Sequence, residues 1–229
     1  MDQMKRYAVY YAPRPGAFAS CADEWLGRDA TTGRAVPQPV LPDLDLTTGE
    51  LTVEARRYGF HGTLRAPFRP ALAVDGASIS AAVASLAARL QPVRCDGLLL
   101  ENLQGFLALT PVGCEAALLD LAAAVVEATD ALRAPLTAQE IARRHPDTLS
   151  TRQRELLGRL GYPFVMDEFR FHLTLTDRLL AEQAGPVKAA LGAHFAHVLP
   201  QPFEIQDLCL FGEDDTGLFH LLHRYALTG

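Results

Sequence analysis

Two short stretches constrain this chain more than anything else in it. Residues 60–64 read Phe-His-Gly-Thr-Leu, and residues 171–175 read Phe-His-Leu-Thr-Leu. Side chains alternate across a strand, so residues two apart share a face. His61 and Thr63 then point one way, with Phe60, Gly62 and Leu64 on the other side. His172 and Thr174 pair likewise, backed by Phe171, Leu173 and Leu175. Each strand is expected to lay an apolar face on a core and turn a His/Thr face toward something wet. A pattern this specific, met twice, points to an internal duplication.

The flanking sequence supports that reading. Residues 6–13 are rich in Tyr and Val and end at a proline, which predicts a first strand. Residues 13–50, with Pro37, Pro39 and Pro42, are expected to be loop-rich, with a turn or two of helix around Trp25. The segment Arg56–Phe68 predicts the first motif strand, which Pro67 ends or places at an edge. A helix follows, with Ser78 as its cap and Ile79, Val83, Leu86 and Leu90 as its apolar stripe. Next come a hairpin around Asn102–Gly105 and a second helix from Cys114. Thr137 with Glu140, then Ser150 or Thr151, predict two short capped helices around Pro146. The second motif strand, a helix and a hairpin closing through Asp214–Gly217 complete the chain. Each half is expected to run motif strand, helix, hairpin. The predicted fold is α+β: two pseudo-symmetric antiparallel-sheet lobes facing each other, with helices outside and a central cleft. The whole is read as one bilobal domain, 1–229, with a helical insertion at about 130–162.

The bulk numbers narrow the function. Apolar residues make up 49% of the 229 and the net charge is −6. Such a chain is expected to be globular, and it lacks the clustered basic surface that long nucleic acid or an anionic membrane requires. No apolar run is long enough to cross a membrane, and the start carries no signal-peptide stretch, which predicts a cytoplasmic protein. The four cysteines, Cys21, Cys95, Cys114 and Cys209, show no metal-site spacing and are expected to be reduced, buried side chains. No metal or cofactor is expected. His194 and His197 have a helical spacing that can bind metal, but no carboxylate or Cys partner accompanies them, so they are read as a solvated or half-buried face. Trp25 is read as a packing anchor.

Two His/Thr pairs lining one cleft suit a phosphodiester. A neutral imidazole takes a proton from the attacking oxygen and a protonated one gives a proton to the leaving oxygen. The threonine hydroxyls donate to the non-bridging oxygens. At this point the chain resembles the two-histidine (2H) phosphoesterase superfamily. The closest likeness is to a bacterial branch associated with phosphonate-metabolism operons. That branch typically carries RYGFHATLKAPF and FRFHMTLT where this chain has RYGFHGTLRAPF and FRFHLTLT, and the likeness extends to WLGRD at 25–29, RAPL at 133–136 and GYPFV at 161–165. The resemblance implies a bilobal fold and metal-independent chemistry, and the leading expectation is hydrolysis of a small cyclic phosphate on a phosphorylated ribose or nucleotide. The alternatives are an RNA-end 2',3'-cyclic phosphodiesterase and a non-catalytic binder of a phosphate ester.

The expected catalytic residues are His61, Thr63, His172 and Thr174. Tyr7, Tyr10, Arg57, Arg65 and Arg170, beside the motifs, are expected to contact substrate. So are Arg143 and Arg144 of the insertion, placed to grip a second anionic group away from the reacting one. The partner is a small phosphorylated substrate. No long nucleic acid or membrane is expected, and the sequence names no protein partner.

Overall fold

The computed structural model describes residues 4–41, 44 and 46–229, and Pro42 of the expected loop lies outside them. The first strand, β1, is Tyr7–Tyr11. Helix α1 (Ala17–Leu26) follows and stops at Gly27 in the left-handed conformation. The 13–50 stretch is therefore less loop-like than its prolines suggest. Cys21, Ala22, Trp25 and Leu26 bury one face of a ten-residue helix there. Helices α2 (Thr48–Leu51) and α3 (Val53–Tyr58) take up Arg56, Arg57 and Tyr58. The first motif strand, β2, accordingly covers only Gly62–Phe68. Pro67 does not end it. The proline sits where pairing with β1 shifts register, so its missing N–H interrupts no regular ladder.

Helix α4 (Gly76–Ala87) is capped by Asp75 rather than Ser78, the carboxylate accepting from the Ser78 N–H at 2.8 Å. Strands β3 (Val93–Cys95), β4 (Gly97–Leu103) and β5 (Phe106–Val112) lead to α5 (Glu115–Thr129). The insertion holds α6 (Ala138–Ala142) and α7 (Thr151–Leu160), capped by Thr137 with Glu140 and by Ser150 with Gln153. The second motif strand, β6, is only Leu173–Thr174. Helix α8 (Ala181–Phe195) and strands β7 (Phe203–Ile205), β8 (Asp207–Glu213) and β9 (Phe219–Ala226) finish the fold.

Seven strands form one antiparallel sheet in the order β4-β5-β6-β2-β1-β8-β9, and β3 pairs with β7 separately. The order is nearly symmetric about the boundary between β6 and β2. Across that boundary β2 corresponds to β6, β1 to β5 and β8 to β4. The run β1-α1-β2-α4-β3-β4 thus repeats as β5-α5-β6-α8-β7-β8, and each half lends its last strand to the sheet of the other. The halves meet edge to edge, where Gly62 pairs with Leu173. The α+β class and the antiparallel halves are as expected. The motif strands, however, are neighbours in one sheet rather than opposite walls.

Burial gives the sheet two unlike faces. Tyr7, Val9, Tyr11, Leu64, Phe68, Leu107, Leu109, Leu173 and Leu175 join one large core with α1, α4, α5 and α8. Ala8, Tyr10, Cys209, Phe211 and Phe219 form a smaller cluster on the other side. The cysteine expectation fails for one pair: Cys95 and Cys114 form a disulfide. The β4–β5 hairpin folds back so that the end of β3 meets the start of α5, with 4.9 Å between the two Cα atoms. Cys21 and Cys209 are free and buried. Among the described residues no helix is long and apolar enough to cross a membrane.

Candidate active site

The polar face of the sheet carries the site. Extending the Gly62–Leu173 register sets His61 opposite Thr174 and Thr63 opposite His172. Directly opposed residues share a face with Cβ atoms about 5 Å apart, and diagonal neighbours lie at roughly 7–8 Å. The four side chains therefore form a quadrilateral with the imidazoles at one diagonal and the hydroxyls at the other. That spacing leaves room for a tetrahedral phosphate with one histidine on each side.

The imidazoles are held alike. His61 Nδ1 lies 2.9 Å from the Gly59 carbonyl, and His172 Nδ1 lies 2.9 Å from the Arg170 carbonyl. A carbonyl only accepts, so Nδ1 carries the proton in both rings and Nε2 is left free for proton transfer. Their surroundings differ. His61 packs under Tyr10, with ring centroids 4.0 Å apart, and near Tyr58 at 5.7 Å. Burial pushes its pKa down to about 4; the Gly59 bond opposes this and a charge on His172 adds to it. His172 sits nearer solvent, 5.6 Å from the Phe106 ring, and burial lowers its pKa as well.

The carbonyls are aimed by local backbone. Gly59 has φ 72° and ψ 173°, a region essentially closed to other residues, and a Cβ there would stand 2.4 Å from the Ala30 Cβ. Asp177, just past the second motif, accepts from the Glu54 and Ala55 N–H groups and so caps the helix leading to the first. The backbone after Thr174 leaves the ladder but is held. Trp25 Nε1 donates to the Leu175 carbonyl at 2.8 Å, and the Asp177 N–H donates to the Leu51 carbonyl at 2.7 Å. Trp25 is thus a buried brace.

A cavity of about 260 Å³ opens beside the motifs, lined by His61, Thr63, Thr174, Tyr10, Tyr58 and Tyr162 with Arg6, Arg144, Glu54 and Asp177, while His172 stands outside this lining. A larger one of about 630 Å³ adjoins it under the insertion. Among the described residues no three His, Cys, Asp or Glu side chains gather as a metal site. His194 is spent on packing: its Nε2 lies 2.9 Å from the Cys21 carbonyl and its ring lies against Trp25.

The other expected contacts divide. Tyr7 faces the core, 1% exposed, and its hydroxyl lies over Gly76, so it is not at the site. An odd-numbered β1 residue points away from Tyr10. Arg65 is 2% exposed and bonds to the Leu160 carbonyl and Asp130, which fastens β2 to the insertion. Arg170 is exposed and lines neither cavity; only its carbonyl serves the site. Arg57 pairs with Glu54 at 2.9 Å and lines the larger cavity. Arg143 is exposed at the same cavity, and Arg144 lines both. Sequence reasoning missed Arg6, Tyr58 and Tyr162. Tyr58 lies three residues before His61, but helix α3 had to be recognised before it turned inward. Arg6 lies two strands away from β6, a placement only the sheet order provides.

Two curated relatives share the name ribose 1,5-bisphosphate phosphokinase PhnN. The one from Laribacter hongkongensis (strain HLHK9) is 38% identical over 96% of this chain and 51% of its own length. The one from Janthinobacterium sp. (strain Marseille) is 35% identical over 94% and 49%. The chain thus spans about half the length of the curated relatives it matches. Among solved structures, E. coli LigT in complex with 3'-AMP aligns over 99% of this chain and 100% of its own, with 15% identity and a TM-score of 0.46. One family model covers residues 63–220, most of β2 through β9, and by that match the chain belongs to the family described as protein of unknown function DUF1045.

Proposed function

We propose that this chain is a cyclic phosphodiesterase that opens a small cyclic phosphate on a phosphorylated ribose by adding water, without a metal. The observation that carries the reading is the matched pair of imidazoles, each fixed through Nδ1 at 2.9 Å and set diagonally across the seam between β2 and β6. His61, the deeper and less basic of the two, is the base. It takes a proton from water through Nε2 as the water oxygen bonds to phosphorus. The P–O bond to one ring oxygen breaks, and protonated His172 gives that oxygen its proton. The product is an open phosphomonoester beside a free hydroxyl. An anionic phosphate in the site raises the basicity of His172 and keeps it charged for this step. Thr63 and Thr174 donate to the non-bridging oxygens.

The relatives' kinase name fits this stretch poorly. A phosphate-gripping loop of the G-x-x-x-x-G-K-[ST] type needs a lysine after glycine, and the only lysines here, Lys5 and Lys188, lack that setting. We assign the kinase activity to the part of those proteins that this chain does not match. The two activities then fit in series: opening a cyclic phosphate on a ribose that carries a distal phosphate yields a ribose bisphosphate, the kind of molecule their name specifies.

The test is a panel of cyclic phosphates with the purified protein, products read by phosphorus NMR. Turnover that survives exhaustive chelation is expected. Loss on chelation with recovery on one added metal would replace the scheme with a metal-assisted one. No turnover of any cyclic phosphate would leave a phosphate-ester binder.

A further inference from the structure

We propose that the larger cavity is a second anion subsite that takes a phosphoryl group carried by the same small molecule as the reacting phosphate, with Arg144 as its specificity-determining residue. This rests on the phosphodiesterase reading of the smaller cavity and says which end of the substrate lies where.

The two cavities adjoin, sharing Arg6, Tyr58, Ala66, Pro67, Arg144 and Tyr162 as common wall. Their charge differs. The smaller, beside His61, sets Arg6 and Arg144 against Glu54 and Asp177, an even balance. The larger is lined by eight cationic side chains against two carboxylates, Glu140 and Glu213. Bringing in the outer partners Asp130, Glu54 and Asp215 raises the carboxylates to five, still three short. This local excess stands out in a chain of net charge −6. A second dianion on the substrate is drawn to the end with the cationic excess.

The arginines there are not equivalent. Arg6 is locked bidentately on Glu213 at 2.5 and 2.6 Å, which also stops that carboxylate from repelling an anion. Arg69 is locked the same way on Glu140. Arg143 and Arg144 have no ion-pair partner among the described residues. Arg143 is exposed, whereas Arg144 lies over the Tyr162 ring with its guanidinium carbon 4.8 Å from the centroid. Packing against a ring steadies a guanidinium without using its N–H groups, which suits forked phosphate binding. Placed on the shared wall, Arg144 reaches a group attached to whatever the histidines hold.

The test measures binding without chemistry. Ribose 5-phosphate and ribose are titrated calorimetrically into the wild-type protein and into Arg144→Gln, Arg144→Lys, Arg143→Gln and His172→Ala, each checked for folding by circular dichroism. Ribose 5-phosphate is expected to bind and ribose not to. Arg144→Gln should weaken binding about tenfold to a hundredfold, the worth of one charge-assisted hydrogen bond. Arg144→Lys should fall between, Arg143→Gln should lose less, and His172→Ala should stay within about threefold. Absence of binding, or binding lost in His172→Ala and retained in Arg144→Gln, overturns the subsite. Should Arg144→Gln not fold, Arg144→Lys and Arg143→Gln decide it, and wild-type affinity in both overturns it too. A protein that binds ribose 5-phosphate this way but opens no cyclic phosphate would refute the enzyme reading and leave the subsite standing.

Discussion

The two motif strands are built on one plan and furnished differently, and the difference assigns their work. Tyr10 pairs with Thr63 on β2, and Ala108 pairs with Thr174 on β6. The two positions correspond under the pseudo-symmetry, so one half places a phenol ring over its histidine where the other places a methyl. The first histidine follows a helix and a left-handed glycine. The second follows a short 3-10 turn, Met166–Glu168, and an extended Phe169. A deep imidazole kept neutral and a shallower one free to charge make a base and an acid from the same tripeptide.

The largest effect should come from removing either histidine. His61→Ala and His172→Ala are each expected to cost on the order of 10²–10⁴ in turnover of a cyclic phosphate while both proteins stay folded. Near-wild-type turnover in either one would break the pairing of the halves. Next comes the strap. In Gly59→Ala, a strained φ and a contact with Ala30 act together, and a loss of about 1–3 kcal/mol in stability by denaturant titration is expected, with turnover falling as the carbonyl leaves His61. The second half has no such glycine, so Arg170→Ala, which keeps the carbonyl, should leave stability within about 0.5 kcal/mol. At the seam, a Cβ on Gly62 would lie 2.2 Å from the Phe171 ring. Phe171 is buried and precedes His172, so Gly62→Ala should cost roughly 1–3 kcal/mol, with the effect transmitted to the second histidine.

How much of this could be read in advance follows from range. His61, Thr63, His172 and Thr174 were legible because a period of two is written into adjacent residues. Capping at Thr137 and Ser150 was equally local. Tyr7 was misplaced because strand position alone does not say which face is the core; that depends on the helices that pack later. Arg65 looked like a phosphate ligand in sequence, yet the end of α7, 95 residues away, supplies the carbonyl that holds it. The Cys95–Cys114 bridge needed the hairpin to fold back first. That β2 and β6 are neighbours in one sheet is also nonlocal, since each half's hairpin docks beside the other half.

The pH dependence sharpens the comparison further. An unfolded histidine takes its proton near 6.5, whereas folded His61 does so near 4. Between those values the unfolded chain binds the extra proton, so stability falls as pH drops through that window and levels off below it. Denaturant midpoints measured from pH 7 to pH 4 should fall less steeply in His61→Gln than in the wild type. His172→Gln should show the smaller relief, because that ring is nearer solvent. In kcat/KM, which reports the free protein, the bell should peak between about 4 and 6.5. A peak above pH 7 would mean that burial does not hold the two imidazoles below their ordinary value.

The smallest effect should be at Tyr10. Its ring lies 4.0 Å from the His61 ring, and burial keeps its hydroxyl un-ionised, with a pKa well above the ordinary value. If the ring's task is to exclude water from His61, the hydroxyl adds little. Tyr10→Phe should then change kcat/KM by less than about threefold and leave the acid limb of the pH profile near 4. Tyr10 does line the cavity, however, and a buried O–H aimed at a phosphate oxygen is worth more than that. A loss of a hundredfold or more at unchanged acid limb would mean that Tyr10 binds the reacting phosphate. The two halves would then differ in a catalytic donor as well as in the dryness of their histidines.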